Sequence, residues 1–194
     1  MRYDKGHKDA SRQRIIAVAT ERFGTDGIAA SGLAGIMGEA GLTNGAFYPH
    51  FKSKAALVRA SLDAAIQTQC DQIRQLLADG GPERVIDVYL SPAHRDAPGQ
   101  GCASAALLPE IAREPLDTRN AYTERQLALV GVMAGALPTG TPDPEVVALG
   151  IFATLIGTLE MARAVGDPAL SDRILAAGAT AAKTMLPKPA GVMQ

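Results

Sequence analysis

The sequence has no tryptophan, and aromatic residues of all kinds make up only 4% of its 194 positions. A core must therefore be built from alanine, leucine, isoleucine and valine, and the dominance of alanine and leucine favours helix over sheet. Cysteine is scarce as well. Cys70 and Cys102 form no CxxC pair and no disulfide framework, which points to a reducing compartment, the cytoplasm. The histidines His7, His50 and His94 stand far apart, HExxH is absent, and no metal site is expected. There is no Walker loop and no GxGxxG after a strand, so no cofactor is expected and the chain does not read as an enzyme. Carboxylates are dispersed along helix faces, as solvated charges are. No apolar run is expected to span a membrane, and the polar start Met-Arg-Tyr-Asp-Lys-Gly-His-Lys predicts no signal peptide.

Net charge is another near-absence, at −1. Its distribution is uneven. Residues 1–60 hold 9 Lys+Arg against 5 Asp+Glu, and residues 61–194 hold 10 against 15. A basic first third on an acidic remainder is the footprint of a small DNA-reading domain joined to a body that does not read DNA.

Periodicity predicts an all-α chain of about nine helices. Residues 1–10 read as a polar, mostly basic arm, either disordered or in contact with phosphates. A first helix follows from about Ala10 to Gly24, with Ile15, Ile16, Ala19 and Phe23 inward. A long helix runs from near Ser53 to about Ala78, and Gly80-Gly81-Pro82 ends it and starts another over about 82–90. Ser91 to Gly101 is expected to be irregular, because two prolines and two glycines fall in eleven residues. Helices are then expected over 102–114, with a kink or restart at Pro109, and over 116–137, 144–165 and 168–186. The expected divisions are a helix-turn-helix domain at 1–51, a helical domain at 52–186 and a frayed tail at 187–194.

The most informative stretch is Ser31 to Lys54. Leu33, Ile36, Met37 and Ala40 recur at helical spacing, and Ser31 can cap that segment. Gly41 can leave the helix with φ > 0, Leu42 plugs the turn, and Thr43 or Asn44 caps a second segment ending near His50. Helix, glycine turn and helix make either a plain helical hairpin or a DNA-reading helix-turn-helix. Thr43 and Asn44 would meet base edges or phosphate, Gly45 would let the backbone approach, and Phe47 would either pack on a thymine methyl or join the core. Phe51 reads as core.

Ile15, Ala19, Phe23, Gly27, Ser31, Ile36, Ala40-Gly41-Leu42-Thr43, Gly45, Phe47-Tyr48, His50-Phe51, Ser53-Lys54 and Leu57 together resemble the TetR family of bacterial transcriptional repressors. The resemblance runs without a gap from about Arg12 to Leu62, roughly a quarter of the chain. Met37 stands where the family usually has alanine. Gly32, Gly35 and Gly38 replace better helix formers, and Pro49 follows the tyrosine where a long or polar residue is usual.

The resemblance implies a dimeric repressor on a palindromic double-stranded DNA operator, released by a small-molecule effector. It places Tyr48 and His50 near phosphate, with Lys54 and Ser31 at helix starts that favour an anion. It also implies a homodimer through residues 144–186, where Gly150, Ala153, Gly157, Ala162, Ala176, Ala177, Ala181 and Ala182 are small. The expected effector lining is Ile66, Cys70, Ile86, Tyr89, Cys102, Leu107, Ile111 and Met133, apolar as such sites between helices are. Tyr89 would be its polar handle. A rival trigger is oxidation of Cys102. A rival function is a helical small-molecule-binding or catalytic protein whose helix-turn-helix no longer reads DNA.

Overall fold

The computed structural model describes residues 5–187. Among these it contains eight α-helices and no strand: α1 (Lys5–Asp26), α2 (Leu33–Glu39), α3 (Lys54–Tyr89), α4 (Pro92–Arg95), α5 (Ala103–Ile111), α6 (Leu116–Ala134), α7 (Pro144–Ala164) and α8 (Pro168–Thr184). Short 3-10 turns occupy Asn44–Ala46 and Pro98–Gln100. Of the expected arm, residues 1–4 lie outside the described residues, and the remainder is not an arm, because α1 already begins at Lys5. The tail expected at 187–194 lies outside them from residue 188 onward.

One expectation about elements holds and two change. The break expected at Gly80-Gly81-Pro82 is present: the backbone is non-helical at Gly80 and Gly81, with φ +69 at Gly81, so α3 is two helical segments that meet there. Ser91 to Gly101 is not irregular. Pro92 sits at the first position of α4, where a missing N–H leaves nothing unpaired, and the Ser91 hydroxyl accepts from His94 N at 3.2 Å. Pro109 lies inside α5 without ending it. A third correction concerns length and composition: α7, at 21 residues, is long and apolar enough to cross a membrane by those criteria alone.

The described residues pack as two compact units. One holds the described residues up to Gln67 with Pro98–Arg125, and the other holds Thr68–Ala97 with Gln126 onward. In the first unit, Ile15, Ala19 and Phe23 of α1 pack with Ile36 and Met37 of α2, Phe47, Phe51, Leu57, Val58 and Leu62, and with Leu107 and Ile111 of α5. The stripe at i, i+4, i+8 on α1 is what lets one helix bury this whole set. A cavity of only about 20 Å³ remains beside Phe23, Ser61 and Leu107, room for about one water.

Glu110 fastens the loop after α1. Its carboxylate accepts from Ile28 N at 3.0 Å and Ala29 N at 2.7 Å, and the Lys54 ammonium donates to the Ile28 carbonyl. The loop leaves α1 through Gly27 at φ +86, where a Cβ would stand 2.6 Å from a Glu110 oxygen. Glu110→Ala is expected to cost about 1.5–3 kcal/mol, because hydrogen bonds to a charged group are worth about that much. Urea unfolding followed by circular dichroism should show it, and an unchanged midpoint would mean the bonds are not maintained in solution.

In the second unit α7 and α8 pair closely. Ala148, Ile151, Phe152, Leu155, Leu159 and Ala162 of α7 and Leu175, Gly178 and Ala182 of α8 are buried. The Asp167 carboxylate caps α8 by accepting from Ala169 N and Leu170 N. Arg163 donates to the carbonyls of His94 and Arg95 at the end of α4, and Arg95 pairs with Asp172 at 2.7 Å. His94 Nδ1 donates to the Tyr89 carbonyl at 2.7 Å, and its ring meets the Tyr89 ring edge-on. Burial holds His94 below the ordinary histidine value, opposed by that carbonyl bond and assisted by the Arg163 charge.

Candidate nucleic-acid interface

The geometry of the helix-turn-helix follows from its backbone. Gly41 takes φ +69, and Leu42 N then donates back to Met37 O at 2.9 Å, closing α2 in the way a left-handed cap does. Ser31 is not the cap. Gly32 occupies that position with extended backbone and no side-chain bond. The Ser31 hydroxyl is fully buried and engaged with the carbonyls of Gly27 and Arg22, at 2.7 and 3.2 Å. It therefore presents nothing to a phosphate. A Cβ on Gly35 would lie 2.4 Å from the Arg22 guanidinium, the flexible end of a side chain that reaches toward Asp26 and Glu39 and can shift to admit it.

The second segment is shorter than an α-helix. Asn44–Ala46 form one 3-10 turn, Thr43 makes no side-chain cap bond, and turns continue to His50. Pro49 accounts for this. It has no N–H to donate, and it disfavours the α conformation at Tyr48 before it.

The expected contact residues separate by exposure. Thr43, Asn44 and Gly45 are exposed, and Tyr48 is 70% exposed. Phe47 is 1% exposed and stacks on Phe51 at 5.6 Å, so it is a core residue and not a thymine contact. Truncating it would cost about 3–5 kcal/mol, which makes Phe47→Ala a test of folding and not of recognition. Lys54 is half-buried with its ammonium on the Ile28 carbonyl, and a lysine retains further donors for a phosphate.

Three cationic side chains flank this surface, of which Lys8 belongs to the segment expected to meet phosphates and Arg12 and Lys52 were not singled out by pattern. Lys52 is exposed beside Phe51. Arg12 of α1 lies 5.0 Å over the Phe51 ring, a cation–π contact. Lys8 lies one helical turn before it. The excess of basic residues in the first third was the available signal.

A model of bacterial regulatory proteins of the tetR family matches residues 15–61. Residues 15–61 thus carry a helix-turn-helix segment of the TetR type. The matched TetR segment holds α2, the Gly41 turn and the exposed Thr43, Asn44 and Tyr48. An uncharacterised HTH-type transcriptional regulator of Bacillus subtilis, YerO, is 31% identical over 88 residues, 44% of this chain and 30% of that protein. The HTH-type transcriptional regulator TtgR of Pseudomonas putida is 41% identical over 68 residues, 35% of this chain and 32% of that protein. The chain spans only about a third of the length of the curated relatives it matches. Its fold is shared more widely. The reduced form of Escherichia coli NemR superposes with a TM-score of 0.76 at 20% identity, covering 93% of this chain and 99% of that one. A TetR-family regulator from Rhodococcus sp. superposes at 0.70 and 16% identity, covering 92% and 100%.

The residues expected to line an effector site are all buried, but they fall in different units. Ile66, Cys102, Leu107 and Ile111 belong to the first, and Cys70, Ile86, Tyr89 and Met133 to the second. Leu107 and Ile111 are core residues packed with the helix-turn-helix. Their helical spacing is the same for a core stripe and for a pocket wall, so periodicity could not separate the two roles. Gln69 was missed. It is 8% exposed on α3, one residue before Cys70, and its side-chain oxygen is buried with no donor. Its signal was a polar residue on the stripe that carries Ile66, Cys70 and Ile73.

Proposed function

We propose that the protein is a transcriptional repressor that binds a palindromic DNA operator as a homodimer and releases it when a small, mainly apolar molecule is bound. The observation that carries this reading is the exposed group Thr43, Asn44 and Tyr48, held on a turn whose glycine and core match the TetR family over residues 15–61. In this reading Thr43 and Asn44 meet base edges, Gly45 admits the backbone, and Tyr48, His50 and Lys54 meet phosphates. The dimer forms through α7 and α8, and the protein works in the cytoplasm. The effector is held within the second unit by Cys70, Ile86, Tyr89 and Met133, with Gln69 joining Tyr89 as a polar handle. A buried oxygen without a donor costs about 1–3 kcal/mol, and a bound ligand N–H or O–H would relieve that cost.

The test is a binding series on the DNA fragment next to the gene, after selection of bound sequences from a random pool. Thr43→Ala and Asn44→Ala should change which bases are preferred. Tyr48→Phe should weaken all sequences alike, because a phosphate contact carries little sequence information. Failure to bind any duplex at low salt would favour the helical binding protein without DNA recognition. Release of the DNA should follow from members of a panel of apolar small molecules. If only peroxide released it, and Cys102→Ser abolished that release, oxidation would replace the pocket as the trigger.

A further inference from the structure

A cleft of about 450 Å³ opens beside the loop that joins α1 to α2. All of its lining lies in the first unit, and none of the residues assigned above to the effector is part of it. Ile28, Val58 and Pro115 give it apolar walls, and Lys54, Glu110, Arg113 and Glu114 give it charges. A space of this size, with apolar walls and a few polar groups, is of the kind that small organic molecules occupy. The charges are unequally engaged. Both Glu110 oxygens already accept from amides, those of Ile28 and Ala29. Lys54 spends one N–H on the Ile28 carbonyl and keeps two. Among the described residues no carboxylate lies within ion-pair distance of Lys54 or of Arg113. Glu114 is the one lining carboxylate that remains. With Glu110 held by the amides, two cations stand against one carboxylate. That balance suits a ligand with a single negative charge, and disfavours a dianion or a cation.

We propose that this cleft binds a small monocarboxylate with an apolar body, its carboxylate paired with Lys54 and Arg113 and its body on Ile28, Val58 and Pro115. It is a second ligand site, separate from the effector residues of the second unit. Lys54 is shared with the phosphate contact proposed above. A Lys54 ammonium paired with a ligand carboxylate has fewer donors and less net charge to offer a phosphate, so carboxylate and DNA oppose each other. By linkage, each weakens the other by the same factor. The antagonism rests on the DNA-binding reading, and the site itself does not.

The experiment follows the backbone amide resonances of Ile28 and Ala29 by NMR in the full chain, at fixed ionic strength. The probes are phenylacetate and octanoate, with phenylacetamide, phenethylamine, acetate and inorganic phosphate as matched comparisons. Millimolar phenylacetate or octanoate should shift both resonances saturably, and the four comparisons should bind more weakly. Arg113→Gln should weaken phenylacetate about fivefold, the most that an exposed ion pair supplies. Lys54→Gln should weaken it about tenfold, since a half-buried charged donor is worth more. Circular dichroism checks that both variants keep their helix content. In fluorescence anisotropy with the fragment next to the gene, saturating phenylacetate should weaken DNA binding severalfold while acetate at equal concentration does not. Arg113→Gln should bind that DNA as the wild type does and need about fivefold more phenylacetate for the same release. Absence of a saturable shift with either carboxylate would overturn the site, and so would unchanged phenylacetate affinity in both variants. Equal binding of phenylacetamide, or tighter binding of phenethylamine, would overturn the carboxylate assignment. Equal shifts by acetate or phosphate would make this a general anion site and overturn the ligand class. Phenylacetate that binds without weakening DNA would overturn the antagonism. A chain that binds no duplex in the absence of any probe would lose the repressor reading, and the Ile28 and Ala29 resonances would still decide the site.

Discussion

Gly157→Arg is expected to yield a folded monomer that no longer holds operator DNA. Gly157 lies on the face of α7 that carries Val146, Leu149, Ala153 and Met161, of which Val146 is 66% and Met161 61% exposed. A Cβ at Gly157 meets nothing within 4 Å, so its own chain accommodates the substitution. On the proposed two-fold interface the arginine would occur on both subunits, and an unpaired charge buried in such an interface costs about 3–5 kcal/mol. Dimer dissociation should therefore strengthen by about a hundredfold or more, since 1.4 kcal/mol is about tenfold. A single motif neutralises half the phosphates, and the salt-dependent part of the binding falls with it. Analytical ultracentrifugation and circular dichroism would report the monomer and its helix content, and anisotropy its loss of DNA. A wild-type chain that is monomeric at micromolar concentration, or a variant that stays dimeric, would exclude α7 and α8 as the interface.

Gly178→Ala should be among the most destabilising single-methyl changes in the protein. The added Cβ would fall 2.2 Å from Thr158 Oγ1, 2.3 Å from its Cγ2 and 2.7 Å from its Cβ. The last of these atoms is fixed by the backbone of α7, so a rotamer change at Thr158 does not relieve the contact, and the two helices must separate. Overpacking of this kind costs about 1–3 kcal/mol. That exceeds the roughly 0.5–1 kcal/mol which alanine gains over glycine inside a helix. The melting temperature should fall by about 2–4 °C for each kcal/mol in a chain of this size. Thr158→Ala combined with Gly178→Ala should recover part of the loss, by removing the contacts with Oγ1 and Cγ2 while the Cβ contact at 2.7 Å remains. If the double variant were no more stable than Gly178→Ala alone, another contact would be setting the distance between α7 and α8.

The two predictions divide a set of small residues that the sequence presents as one group. Gly150, Ala153, Gly157, Ala162, Ala176, Ala177, Ala181 and Ala182 share helical spacing. The structure turns Ala162 and Ala182 inward, along with Gly178, and leaves Ala153, Ala176, Ala177 and Ala181 exposed. A helix with small residues on two faces has no single phase in its apolar pattern. Sequence spacing therefore identifies close approach without saying to which neighbour.

The sequence by itself determined the all-α class, the position of the helix-turn-helix and the left-handed Gly41, because these depend on local terms. Apolar periodicity, glycine at a positive φ and proline at a helix start act within a few residues. Tertiary structure alone decided the rest. It set Phe47 in the core with Phe51 and closed the Ser31 hydroxyl onto two carbonyls. It brought Glu110 to amides 81 and 82 residues earlier in the chain. It placed Arg12 over the ring beside His50. Each of these joins residues far apart in sequence, or chooses between two faces that a pattern leaves equivalent. Burial makes the choice, because a ring excluded from water and a carboxylate paired with free amides settle only against the partners that the whole chain brings to them.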